Sequence, residues 1–511
     1  MCSSLRVIRA AKRWIGLVLL VDRSGMISAS QGDFFRRQHT VALLTIAILC
    51  VVVLMLPWIW LAVGSLAMVC CILLVHVLAS ALRGDCDPAL LIWILIFPLG
   101  YHFLSFPRER PLFTLDRGMI ALLLLCLVLA PQRIWPRMNP TLRLSAVTWC
   151  CFLLASALSL AGAQSSQGGV RTLVEAFFFP AVLGWYVVQN FRVRENLLKI
   201  HLLVCLLAIY LAAIGAAEMW RGEDILPLPD AGLYYAGSAG LQLLRVNGPF
   251  LSNTSLALIG LITFFLLGFL KRATSAKTVS WGRGLHALGA TSALLVALMP
   301  LFRSVVLTLL TVFLLESLQI RGSVRRVMLL TAVVCLIGVF LWGSAALPDI
   351  YDERVSSLEN LYARIAQQQQ SLELFWSHPL KGVGLNNFHD AAEKQTKYST
   401  EFHGIEALDY PHSNLSAVLA ETGILGFIPY LLAQILLVAA FWRIRQRGSG
   451  DSRLVWRYFR WIFLGYWLSG LNLTSGYYSD LNLWYVFSIT LLYKYGVSES
   501  IASQIFNHAE M

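Results

Sequence analysis

Apolar runs of bilayer length recur along the whole chain, and they constrain its fold before any motif is considered. A run of about 20 predominantly apolar residues crosses a bilayer core as a helix, and about fourteen candidates are present, some short or broken by proline. They lie near 40–57, 59–80, 89–105, 118–131, 143–163, 173–190, 197–219, 251–270, 285–299, 301–318, 327–346, 423–442, 459–474 and 481–495. Pro57 and Met299-Pro300 divide two of the pairs, because proline ends or kinks a helix. Composition agrees, with 58% of the 511 residues hydrophobic and only 13% charged, well away from soluble domains. The expected fold is all-α, a polytopic transmembrane bundle of about 12–14 spans, since a helix satisfies its own backbone in lipid.

Lys and Arg set the expected orientation, because short cytoplasmic loops retain them. Alternation from a cytoplasmic N-terminus sends most of them inside: Arg6, Arg9, Lys12, Arg13, Arg36 and Arg37 first, and Arg443, Arg445, Arg447, Arg453, Arg457 and Arg460 last. Arg108, Arg110 and Arg117 are exceptions, in one short outer loop. The net charge of +12 therefore reads as a topology signal with anionic lipid headgroups as partner, not as a nucleic-acid patch. The expected organisation is a cytoplasmic or interfacial N-terminus over 1–39, helices over 40–346 with an outer segment at 220–250, and a long outer loop over 347–411. C-terminal helices over 412–496 and a cytoplasmic tail over 497–511 follow. The stretch AAKRWIGLVLLV is basic then apolar, but no small-residue cleavage site follows it, so an interfacial helix is expected there and not a signal peptide. Nearly all ten cysteines fall inside spans and read as small packing residues.

In the long outer loop, Val355, Leu358, Leu361, Ile365, Leu372 and Phe375 recur near a helical period, which predicts an amphipathic helix on the membrane face. Pro379, Gly382 and Gly384 impose a turn after it, and Pro411 with Ser413 or Asn414 then opens the next helix.

Polar residues at the ends of membrane helices are costly, so each is a functional candidate. Arg245 in LLRVNGPFLSNTS and Arg303 in LMPLFRSVV flank different helices at the same expected surface, with Arg354 and Arg364 in the loop. A guanidinium fork pairs with two phosphate oxygens and keeps its charge, so two of them suit a diphosphate whose lipid tail stays in the bilayer. The alternative for each is an arginine snorkelling to a lipid phosphate. His412 is a candidate general base for a sugar hydroxyl; the alternative is a histidine that caps or packs at a helix entrance. Glu421 lies about two turns beyond Asn414, and either binds sugar or pairs with a neighbouring helix. Glu175 and Glu316 read as paired or snorkelling. His76, His102, His201 and His286 lie in or beside helices without clustered partners, and no histidine pair has zinc-site spacing with carboxylates. Asp85-Cys86-Asp87 resembles the aspartate pair of nucleotide-sugar transferases, but it is lone and on the cytoplasmic side. No P-loop, Rossmann fingerprint or Gly-x-Ser-x-Gly elbow is present.

Four stretches, in order, resemble the O-antigen ligase and O-antigen polymerase-like superfamily of membrane glycosyltransferases. RVNGPFLSNTSLA matches an Arg-x-x-Gly-x-Phe segment followed by an asparagine, here Arg245, Gly248, Phe250 and Asn253. LFRSVV resembles a Ser-Arg-Gly segment, with Phe302 and Ser304 in place of the usual neighbours of Arg303. The stretch from Arg364 to Phe388 matches an arginine, a helix and His-Pro-Leu-x-Gly-x-Gly-x-x-x-Phe. His412, Asn414, Glu421, Thr422, Gly423 and Gly426 match His-x-Asn followed by Glu-Thr-Gly-x-x-Gly.

The resemblance implies a glycosyltransferase of the bacterial inner membrane with its site on the periplasmic side. It would take a glycan from undecaprenyl diphosphate and pass it to a hydroxyl, on lipid A core or, in a polymerase, on another growing glycan. Neither a nucleotide nor an obligatory metal is expected, because the diphosphate already activates the donor. His412 is then the expected base, with inversion at the anomeric carbon; Arg245 and Arg303 face the diphosphate, and Arg364, Asn253, Asn414 and Glu421 complete the binding set. A transporter is the rival from another class, but transporters place ionisable residues near the midplane rather than at one surface.

Overall fold

The apolar runs fold as helices that end where the sequence is punctuated. The computed structural model describes residues 59–99, 105–106, 113–129, 138–226, 234–236, 243–250, 252–274, 280–300, 302–319, 359–394, 411–471 and 473–509. Two compact units divide the chain, Met1–Ala79 and Ser80–Met511. The described part of the first belongs to α1 (Ile59–Leu82), which leaves Met68, Ile72 and Val75 exposed. The expected N-terminal segment 1–39 and the expected spans at 40–57 and 327–346 lie outside the described residues.

The second unit continues with α2 (Asp87–Ile96), α3 (Leu115–Leu129), α4 (Pro140–Ser159), α5 (Ser166–Thr172), a π-helical turn (Leu173–Phe178), α6 (Phe179–Asn190) and α7 (Val193–Arg221). A short antiparallel pair follows, β1 (Tyr234–Ala236) and β2 (Leu243–Arg245), with Tyr234 opposite Arg245, inside the expected outer segment. Then come α8 (Asn253–Thr274), α9 (Ser280–Leu298), α10 (Arg303–Gln319), α11 (Glu359–Ser377), α12 (Phe388–Glu393), α13 (Asn414–Arg445), α14 (Gly450–Gly470) and α15 (Ser479–Ala509). The architecture is an all-α polytopic bundle. Among the described residues, five helices are long and apolar enough to cross a membrane: Pro140–Ser159, Ser166–Asn190, Val193–Arg221, Asn253–Thr274 and Asn414–Arg445.

Burial separates the centre of the bundle from its rim. In α8, 83% of the apolar window is buried, against 28% in α4 and α13. Leu144, Val147 and Leu154 of α4 and Ile428, Leu432 and Ile435 of α13 are exposed, as lipid-facing side chains must be. Central α8 packs against α7, α9, α14 and α15, while α4 lies along α13 and α15 along α6. Asn139 starts α4 by accepting the Thr141 N–H at 3.1 Å, with Pro140 at the first helical position, where its missing N–H costs nothing.

Two elements differ in extent from the apolar runs that carry them. The run near 89–105 ends its helix at Ile96 and passes through a tight turn at Phe97–Leu99 containing Pro98; ten helical residues rise about 15 Å, half of a bilayer core. α15 runs on past the apolar run at 481–495, as far as Ala509. Met299-Pro300 separates α9 from α10, as the sequence implied.

Ion pairs collect where helices end, because a charge deep in the bundle has no water to solvate it. At one end Arg192 pairs with Asp85 at 2.5 Å and Asp87 at 2.8 Å, Arg194 with Asp451 at 3.2 Å, and Arg457 with Glu316 at 2.9 Å. Asp85-Cys86-Asp87 is thus the ion-pair anchor of α2 on α7. The opposite end gathers the end of α4 and the beginnings of α5, α8, α10, α13 and α15, and it carries the candidate site.

Candidate functional site

The site is built on a membrane helix that breaks and a loop that repairs the break. Gly423, inside α13, adopts φ 61° and ψ −165°, which frees backbone groups that cost several kcal/mol each in lipid unless they find partners. The loop after α11 supplies them. Ile424 N–H donates to Pro379 O at 2.9 Å and Leu425 N–H to Leu380 O at 3.3 Å; in return Val383 N–H donates to Ala420 O at 3.0 Å and Gly384 N–H to Glu421 O at 2.9 Å. The approach is so close that a Cβ on Gly382 (φ +71°) would lie 2.3 Å from the Glu421 carbonyl carbon, and one on Gly423 2.4 Å from Leu380 O. The His-Pro-Leu-x-Gly-x-Gly stretch and the Glu-Thr-Gly stretch are therefore hydrogen-bonding partners.

Glu421 and Asn414 hold this framework together. The Glu421 side chain is fully buried; its carboxylate accepts from Asn386 N–H at 2.8 Å, Phe388 N–H at 3.4 Å and the Tyr477 hydroxyl at 2.5 Å. Asn386 sits at φ 58°, a region that asparagine tolerates better than most residues. Its neighbour Asn387 accepts from Ser165 N–H at 2.7 Å and donates to Ser165 O at 3.1 Å, tying the loop to the start of α5. Asn414 accepts the Gly476 N–H at 2.7 Å. It does not cap α13: it is the first helical residue, and Ser413 precedes it without a side-chain cap bond. Pro411 stands outside the helix, and its carbonyl accepts the Ser413 N–H at 2.8 Å, a three-residue turn with half-buried His412 at its centre.

Arg303 and Arg364 form an electropositive corner. The second half of α11 and the first turns of α13 run parallel, because Ser416 bonds Gln368 midway along α11 and the 379–384 loop meets 420–425 further on. Arg364 lies one turn before Gln368 on α11, and His412 precedes Ser416 by four residues, outside the helix. Partial removal from water, followed by the charge of Arg303, pulls the Arg364 guanidinium below its ordinary pKa. Two cations held close enough to repel are stabilised by an anion that both can grip.

α11 packs on the bundle with a face other than its apolar one. Ile365 and Leu372 are exposed, whereas Ala366, Gln367, Gln370, Ser371 and Leu374 are buried. Small and polar side chains are the ones that let α11 approach the broken part of α13. The Oε1 atoms of Gln367 and Gln370 are buried, with no hydrogen-bond donor among the described residues. A ligand rich in hydroxyls offers donors of the kind such atoms lack.

A separate cavity opens between the turn after β2 and the start of α8, and neither Arg245 nor Asn253 is among the residues that line it. Arg245 closes β2, and Glu218 of α7 accepts the Gly248 N–H at 2.9 Å, fixing the turn that presents Phe250. Asn253 begins α8 two residues before Ser255, whose hydroxyl donates to Asp480 at 2.9 Å. Phe250, Ser255 and Asp480 line a cavity of about 360 Å³, together with Asp116, Arg171, Glu175, Asn386 and Tyr477. Glu175 pairs with Arg117 and, at 3.2 Å, with Arg171. The cavity wall owes its shape to Pro180, which cannot donate to the Ala176 carbonyl. Phe179 N–H reaches instead to Val174 O as a π turn, and Asn482 Nδ2 takes the Ala176 carbonyl at 2.8 Å. Ala176 also lines a larger apolar cavity of about 570 Å³, walled by Trp149, Leu153, Phe177 and Tyr430.

Several of these residues carry little signal in the sequence. Asp116 and Asp480 fall just outside the runs expected to start at 118 and 481, and a carboxylate at a membrane helix start is the one feature that could have marked them. Glu218 lies at the end of a run, and Tyr477 carries no signal. His201 and His286, expected to have no clustered partners, approach to 3.0 Å between Nε2 and Nδ1, because α7 and α9 pack side by side.

Residues 302–431 match the family model described as O-antigen ligase. The matched segment includes Arg303, Arg364, the 378–388 loop, His412 and the broken part of α13. No curated protein matches the chain.

Proposed function

We propose, starting from the O-antigen ligase match over 302–431, that the chain transfers a glycan from undecaprenyl diphosphate to a hydroxyl acceptor. A lipid A core sugar is the favoured acceptor, and the site faces the periplasm from the bacterial inner membrane. The observation that supports this reading is that α11, which carries Arg364, packs on the start of α13 directly after His412, through the Ser416–Gln368 bond and the backbone bonds between 379–384 and 420–425.

The donor diphosphate binds Arg303 and Arg364, with Arg245 reaching it from the end of β2, while the prenyl chain stays in lipid or in the apolar cavity beyond Ala176. Gln367 and Gln370 accept from carbohydrate hydroxyls, and the 360 Å³ cavity holds further sugar beside Asp116, Asn386 and Asp480. His412 takes the proton of the acceptor hydroxyl as its oxygen attacks the anomeric carbon. That carbon–oxygen bond forms while the bond to the diphosphate breaks. The diphosphate leaves with the electron pair, and its growing charge falls on the guanidinium groups. Attack opposite the leaving group inverts the centre. Glu421 and Asn414 act by positioning, since both are committed to backbone groups of neighbouring segments.

The test is transfer by the purified protein in lipid nanodiscs, from a polyprenyl diphosphate glycan to lipid A core or to an oligosaccharide, with the product linkage read by NMR. Product on lipid A core with inverted stereochemistry is the expected result. Product on the oligosaccharide alone makes the chain a polymerase, and no product from either acceptor removes the proposal.

A further inference from the structure

At the end of the bundle opposite the glycan site, His201 and Cys205 occupy positions i and i+4 on α7, so both project from one helical face. His286 of α9 meets them there. One ring nitrogen of His201, one of His286 and the Cys205 Sγ all lie within 4.8 Å of one another. Their side chains are 5%, 1% and 8% exposed. Gly289, one turn beyond His286, brings α9 against Cys205: a Cβ there would stand 3.0 Å from the sulfur.

The hydrogen bonds around the cluster select a ligand-ready tautomer. The Thr274 hydroxyl donates to Leu270 O at 2.7 Å, so towards His201 Nδ1, at 3.2 Å, its oxygen is left to accept. His201 therefore carries its proton on Nδ1, and the lone pair of Nε2 faces the cluster. Metal-ligating histidines are held in this way, with the far nitrogen donating to an oxygen. Two nitrogens bound to one tetrahedral ion sit about 3.3 Å apart, close to the 3.0 Å between Nε2 and Nδ1. Binding requires His286 to move its proton to Nε2 and Cys205 to release its own to solvent.

We propose that His201, Cys205 and His286 form a binding site for a thiophilic transition-metal ion that fastens α7 to α9. Imidazole and thiolate together select copper and zinc over the hard, oxygen-seeking ions. Lys271 lies near enough to act electrostatically on both imidazoles. Copper(I) with one thiolate is neutral, whereas zinc(II) with one thiolate retains a positive charge beside that lysine, so copper(I) is the better fit.

The experiment uses the full chain in nanodiscs, with any affinity tag removed and metal stripped by chelation. Zinc(II) or copper(I) is then titrated against a competing chelator, and bound metal is counted by mass spectrometry. One equivalent bound by the wild type, lost in His201→Ala and in Cys205→Ser and kept in Cys126→Ser, is the expected result. Thr274→Val keeps all three ligands and should weaken affinity about tenfold. Cobalt(II) gives an independent readout, a thiolate charge-transfer band absent from Cys205→Ser. Absence of stoichiometric metal in the wild type, or equal binding by His201→Ala and Cys205→Ser variants with intact helical spectra, overturns the proposal.

Discussion

The Glu421 carboxylate accepts the Asn386 N–H at 2.8 Å, and this bond ties the loop after α11 to the break in α13. With Phe388 N–H and the Tyr477 hydroxyl also donating to it, Glu421 satisfies three donors, one buried and two half-buried. Each donor left unpaired costs about 1–3 kcal/mol, so Glu421→Ala should destabilise the fold by about 3 kcal/mol or more, and Glu421→Gln, which keeps an acceptor oxygen, by less. Thermal melting in detergent separates the two. A Glu421→Gln variant with wild-type melting and no transfer would show that the carboxylate acts on substrate.

Gly423→Ala should be as damaging as a large core truncation. Its Cβ would press on Leu380 O at 2.4 Å from a backbone angle that side chains resist, a combination costing more than about 2 kcal/mol. Hydrogen exchange in residues 379–388 should accelerate, since the 379–384 carbonyls and N–H groups lose their partners. Unchanged exchange there would mean that the loop is held by something other than α13.

Neutralising the electropositive corner should impair donor handling. Arg303→Gln and Arg364→Gln each remove a charge-assisted contact of about 1.5–3 kcal/mol, which corresponds to about 10- to 100-fold in kcat/KM for the lipid diphosphate. Inorganic diphosphate should raise the melting temperature of the wild type and not that of the double variant. Equal shifts in both proteins would place the anion elsewhere.

His412→Ala should lower kcat by about 10²- to 10⁴-fold with an unchanged melting curve. The acid limb of the kcat/KM profile should vanish with it. A variant that keeps that limb would assign the base to another group, with Asp480 the next candidate from the cavity wall.

Asp480→Asn tests the cavity. It keeps an oxygen to accept from Ser255, now 2.9 Å away, but loses charge for bonding sugar hydroxyls, so KM for the acceptor should rise while kcat holds. A fall in kcat alone would give Asp480 a catalytic part instead.

The class of fold is legible in the chain's local pattern. Apolar runs of bilayer length can only bury their backbone as helices, and α4, α7, α8 and α13 appear where those runs lie. The turn at Pro379–Gly384 and the separation of α9 from α10 at Pro300 are legible too, since proline and glycine act locally. What those local features are for depends on the packed chain. Nothing in Gly382 or Gly423 alone reveals that each is small because backbone of the facing segment lies against it, nor that Glu421 serves the amides of Asn386 and Phe388. The buried face of α11 follows the same rule: periodicity marks Ile365 and Leu372, but close approach to a broken helix favours Gln367, Gln370 and Ser371. His201 and His286, 85 positions apart, meet only because α7 and α9 are neighbours. Side-chain periodicity is a property of one segment, whereas hydrogen-bond satisfaction in lipid is settled between segments, and only the packed chain brings them together.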